Sequence, residues 1–162
     1  MPDGWVCLGC KYGEGKPPCR TSDGAFRPDH VADAYLEYCG DRGSDADRDA
    51  FFWAWNCLND RITEAGDLRD IFATLDALLS KITSVEGAAD VAAGPLENLV
   101  AYRGSEAIDW IENRAASSER FRYLLTGVWS QGERCGADIW ARVEAARAGG
   151  SHMDLDGLPP LS

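Results

Sequence analysis

The chain has 162 residues, 45% of them apolar and 27% charged, which is the composition of a folded globular domain and excludes intrinsic disorder for most of its length. Its formal charge of −11 repels nucleic-acid phosphates, so direct DNA or RNA binding is not expected, whereas a basic protein partner is suited. No apolar run approaches the roughly 18 residues of a membrane span, and the first residues lack the basic and apolar regions of a secretory signal, so a cytoplasmic location with reduced Cys is expected.

Residues 1–28 combine Cys7, Cys10 and Cys19 with five Gly and Pro17-Pro18, a density of helix breakers that predicts a turn-rich segment. From residue 29 the pattern becomes helical. Asp29 caps a predicted helix with Val31, Tyr35 and Tyr38, ended by Gly40. Ser44 and Asp47 resemble a capping start, after which Phe51, Trp55, Leu58 and Ile62 fall on one helix face, closed by Gly66. Asp67 caps the next helix, whose face is Leu68, Ile71, Leu75, Leu78 and Ile82. Ser84 starts a short helix through Ala93.

Gly94-Pro95 places proline in the first turn of another helix, which stops near Gly104. Ser105 opens a segment with Ile108 and Ile111, and Ser117 one with Phe121, Leu124, Leu125 and Val128. A last helix covers about Ala137–Ala146, with Ile139, Trp140 and Val143 inward. No stretch alternates with period two. The expected fold is all-α, an irregular bundle or short stack of about seven or eight helices over 29–147. Residues 148–162 read as a tail, in which Gly150-Ser151-His152-Met153 resembles a vector remnant and carries no weight in the fold.

The sharpest chemical signal is Cys7-Leu8-Gly9-Cys10. Two thiolates so spaced can grip one metal ion, and Cys19 and His30 complete a candidate set for Zn2+, which would order a segment lacking a core. Thiols without metal, or a redox pair, are the alternatives; a redox Cys-x-x-Cys belongs at a helix N-terminus, and this one is not predicted there. His30 and His152 are the only histidines, and no nucleophile elbow, Walker loop, dinucleotide fingerprint or His-Glu-x-x-His motif occurs, so the chain is not read as an enzyme.

The charge is uneven: residues 25–90 hold fourteen acids against six bases. Asp45, Asp47, Asp49, Asp67 and Asp70 cluster at predicted helix starts, where they also complement the helix dipole. With Trp53, which lies off the main face of its helix and either packs on a neighbour or serves as an exposed anchor, they form the expected partner-binding surface. Acidity serving only solubility is the plainer alternative. The arginines of the second half are expected to pair with the acidic first half.

The segments Ala93-Gly-Pro-Leu-Glu-Asn-Leu99, Phe121-Arg-Tyr-Leu-Leu-Thr-Gly-Val-Trp129 and Ile139-Trp-Ala-Arg-Val143, with Tyr35 and Phe52-Trp-Ala-Trp55, resemble a bacterial family known only as a domain of unknown function. The likeness covers about residues 31–147 and implies an all-α fold, with no activity or catalytic residue to carry over. The expected function is that of a small acidic protein-binding module that occupies a basic partner, as immunity proteins and anti-defence inhibitors do. The second reading is a zinc-stabilised regulatory or scaffold protein; an enzyme using carboxylates ranks last.

Overall fold

The computed structural model describes residues 19–21, 23–39 and 45–161. Its regular structure is helical; apart from an isolated bridge between Arg20 and Phe26, no β-pairing occurs among the described residues. The chain divides into two compact units after Ile82, and residues 148–161 belong to the second.

In the first unit, Pro28 and Asp29 begin α1 (Pro28–Cys39), a start that suits a residue without a free N–H and a carboxylate beside the helix dipole. Val31, Tyr35 and Leu36 bury its inner face, which packs on α2 (Phe52–Thr63) and chiefly on α3 (Leu68–Lys81). The chain enters α2 through a 3-10 turn over Asp45–Phe51, not through one continuous helix. The buried face of α2 is Trp53, Cys57, Leu58, Arg61 and Ile62. It is rotated from the predicted one: Trp55 is half-buried, while Trp53 is 4% exposed and stacks on His30 with ring centroids 5.4 Å apart. Trp53 is therefore core and offers no exposed anchor, because its ring is taken up by packing against α1 through His30.

Helix α2 ends through Ala65, at φ 58°, and Gly66. A Cβ on Gly66 would lie 2.8 Å from the Arg61 Cα and carbonyl oxygen, so the close return of the chain requires glycine. Asp67 then caps α3 by accepting the Arg69 backbone N–H at 2.8 Å, and Ile71, Leu75, Leu78 and Ile82 are buried as their spacing predicts. Ahead of α1, Arg27 N–H donates to the Cys19 carbonyl at 2.8 Å and closes a turn. Arg61 holds that turn. Its guanidinium is fully buried, lies 3.9 Å from the Phe26 ring centroid, and donates to Asp70 at 2.9 Å.

The second unit is built on a longer helical run than the sequence predicts. Helix α4 (Val85–Val91), capped by Ser84, passes through a π-helical turn over Ala92–Leu96 into α5 (Glu97–Ser117). Pro95 cannot donate a hydrogen bond and crowds the carbonyl four residues back, and the wider π turn accommodates both without ending the helix. Near Gly104, where the sequence predicts a stop, α5 is interrupted by a kink at Arg103 (φ −128°, ψ 18°), and Gly104 is buried in a tight contact, where a Cβ would lie 3.1 Å from both Cys135 Cβ and Ile139 Cγ2.

Ser118 caps α6 (Glu119–Thr126) through the Phe121 N–H, one residue beyond the predicted Ser117. A short α7 (Gly132–Cys135) and α8 (Ala137–Arg147) follow, both packed on α5. Residues 149–160 return over α6 as a strap. Arg120 Nε donates to the Pro159 carbonyl at 2.8 Å, the Tyr123 hydroxyl to the Asp156 carbonyl at 3.1 Å, and Met153 N–H to the Thr126 hydroxyl at 2.9 Å. The segment read as a tail is thus a wall of this unit.

Candidate functional site

In the second unit an open cleft of about 380 Å³ lies between the end of α6, the outer face of α8 and the strap. Trp140, Glu144 and Arg147 line it from α8, four and three residues apart and so on one helix face. The loop after α6 contributes Val128 and Trp129; the strap contributes His152 and Asp154.

Three contacts fix the loop. Gly127 is wedged so closely that a Cβ there would lie 2.9 Å from Ala92 Cβ and 2.6 Å from Met153 Sδ. Arg147 Nη1 donates to the carbonyls of Leu125, at 3.4 Å, and Val128, at 3.0 Å, near the C-terminal end of α6, where a cation also complements the helix dipole. The Glu97 carboxylate, in the first turn of α5, accepts the Trp129 backbone N–H at 2.9 Å. Val128 consequently points inward and is buried, while the next residue, Trp129, is turned out with 76% of its surface exposed. The Gly-Pro-Leu-Glu97 and Gly-Val-Trp129 elements noted in the sequence meet in this one hydrogen bond.

The cleft's charges are arranged unequally. The Arg147 guanidinium lies 5.1 Å from the Trp140 ring centroid, and its Nη2 is 3.6 Å from Glu144. It is held by these groups and by the two carbonyls. Asp154 is largely exposed, with His152 Nδ1 3.8 Å from its carboxylate. On the helix behind the cleft, the Tyr123 hydroxyl is pushed above its ordinary range by burial, reinforced by Asp156 and Asp154.

The residues singled out from sequence are placed as follows. Cys7 and Cys10 lie outside the described residues. Cys19 is buried, with its Sγ 4.0 Å from Arg61 Nη2, and His30 is half-buried against Trp53. Among the described residues no group of three or more His, Cys, Asp or Glu is placed to hold a metal ion. Asp49 is exposed on the 3-10 turn that also carries Asp45 and Asp47. Asp67 and Asp70 are engaged within their own unit. Asp67 is held down to about 2 by the Arg69 side chain and by its cap bond, and Asp70 pairs with Arg61. Within the second unit Arg142 bonds Asp109 at 2.7 Å and Glu112 at 2.6 Å, Arg134 bonds the Tyr102 hydroxyl, and Arg122 bonds the Ala115 carbonyl.

Trp129 belongs to a segment noted for its resemblance, yet nothing in the sequence marks it as exposed. The spacing of Trp140, Glu144 and Arg147 was a usable signal for a shared face; the contribution of His152 and Asp154 required the return of the strap.

Residues 41–151 match the model of a family of unknown function, DUF6869. No curated protein and no solved structure matches the chain.

Proposed function

We propose, from the premise that the chain belongs to the DUF6869 family of unknown function, that it is a non-catalytic acidic module that acts by occupying a basic protein partner. The observation that carries this reading is Trp129, an indole 76% exposed yet fixed at its backbone by Glu97, at the rim of a cleft with two carboxylates. Leaving a large apolar ring in water forgoes roughly 1.5–3 kcal/mol of burial, and rigidly presented aromatic side chains are recurrent anchors of protein interfaces. The net charge of −11 supplies a long-range field that draws in basic partners and repels acidic ones. Such a module acts as an immunity-type inhibitor does, by covering a partner's basic surface.

The test is fluorescence anisotropy of labelled peptides against the full chain: an alternating Lys-Arg octapeptide, and an octaglutamate control. The basic peptide should bind at 50 mM salt and weaken by at least about tenfold at 500 mM, while octaglutamate does not bind. Absence of basic-peptide binding, or affinity indifferent to salt, rejects the reading.

A further inference from the structure

The Trp129 cleft is lined by two indoles and two carboxylates, and Arg147 engages one of each. On its α8 side an indole, a guanidinium and a carboxylate come together: Trp140, Arg147 at 5.1 Å from the ring centroid, and Glu144 at 3.6 Å from that guanidinium. The loop after α6 and the strap add a second indole, Trp129, and a second carboxylate, Asp154, both exposed. The cation of Arg147 is directed at two carbonyl oxygens and Glu144.

We infer that the cleft is a receptor for an arginine side chain of the basic partner, which stacks on the Trp129 indole and directs its guanidinium to Asp154 and Glu144. The inference rests on the reading of the protein as a module for basic partners and names where and by what chemistry the partner is held. Arginine fits better than lysine. A planar guanidinium lies flat on an indole while its edge donates two parallel hydrogen bonds to a carboxylate, whereas an ammonium is more strongly hydrated and has no flat face. The cleft's volume of about 380 Å³ is sufficient for one long side chain. The backbone hydrogen bond from Trp129 to Glu97 keeps its loop in place before the ligand arrives, so little ordering cost is left to binding. Within the same unit Arg134 is held over Tyr102, 5.1 Å from the ring centroid, so aromatic–guanidinium stacking is already used in its own packing.

The experiment uses uniformly 15N-labelled full-length protein titrated with octa-arginine, octalysine and octacitrulline, following the indole N–H resonances. The Trp129 signal is assigned from its loss in Trp129→Phe. Octa-arginine should shift the Trp129 indole signal and bind at least about threefold tighter than octalysine, and octacitrulline should not bind. Trp129→Ala and the double variant Glu144→Gln/Asp154→Asn should each weaken octa-arginine by about tenfold, while Glu64→Gln, an exposed acid of the other unit, changes it less than twofold. Should either cleft variant lose its fold, the shift of the wild-type Trp129 signal decides alone. Salt-dependent binding of basic peptides that leaves the Trp129 signal unmoved overturns the cleft and keeps the broader reading. Failure of every basic peptide to bind overturns both.

Discussion

Two side chains in the first unit carry opposite lessons about charge. Arg61 is fully buried, and its ion pair with Asp70 joins α2 to α3 while the flat face of the guanidinium covers Phe26. Asp70→Asn removes the carboxylate charge to which the buried Arg61 donates, a change that costs up to about 3 kcal/mol for a part-buried pair. The expected result is a large fall in the urea midpoint of the first unit. An unchanged midpoint means that Arg61 finds equivalent bonds elsewhere. Asp67, by contrast, works at the surface, as a cap. Asp67→Ala should cost about 1 kcal/mol at neutral pH. Because its folded pKa is depressed to about 2 from an ordinary 3.8, its contribution is present above pH 4 and is lost as pH falls toward 2. Wild type and variant should therefore converge in stability across that window; a constant difference assigns the cost to something other than the ionised cap.

At the level of elements, boundaries set by a local side-chain bond were legible in the sequence and those set by packing were not. Asp67 and Ser84 cap where their side chains predict, because a cap is a local bond between residues two or three apart. Gly94-Pro95 reads as a break, yet the tertiary packing that buries Pro95 and Leu96 carries the chain through it in a π turn, whereas the predicted stop near Gly104 coincides with the kink at Arg103. The cleft was less legible than the fold for the same reason. Its α8 face follows from periodicity, but its loop depends on Gly127 fitting between Ala92 and Met153, contacts between residues far apart in the chain. Gly127→Ala should cost about 1–3 kcal/mol by overpacking, and Met153→Ala should recover part of it. Thermal melts of the two single variants and the double variant measure that coupling; strict additivity would place the strain elsewhere. Removal of residues 149–162 is expected to lower the melting temperature and to return the Tyr123 phenol toward its ordinary range, because burial and Asp156 are what raise it. An ultraviolet titration compared with that of Tyr123→Phe reports the shift, and a phenol that still titrates high would place its burial beneath α6 and not beneath the strap.

For the molecule as a whole, the division after Ile82 gives each unit a core of its own: Leu36, Leu58, Ile62 and Leu78 in the first, Leu99, Ile111, Phe121 and Leu125 in the second. Two calorimetric transitions are the expected result where the units melt separately, and a single one would show strong coupling between them. The same division bears on how fragments should be cut. The family match runs over residues 41–151 and so omits α1, the helix that covers α3. A fragment trimmed to that alignment would leave the α3 side chains Ile71, Leu75 and Leu78 facing water, and it is expected to bind hydrophobic dyes and precipitate on expression. A fragment of residues 83–162 retains every helix of its unit together with the strap, and is the better boundary for isotope labelling or crystallisation. The bounds of the family match and the bounds of the packed units fall at different places along this chain, and a cut made at the first would not respect the second.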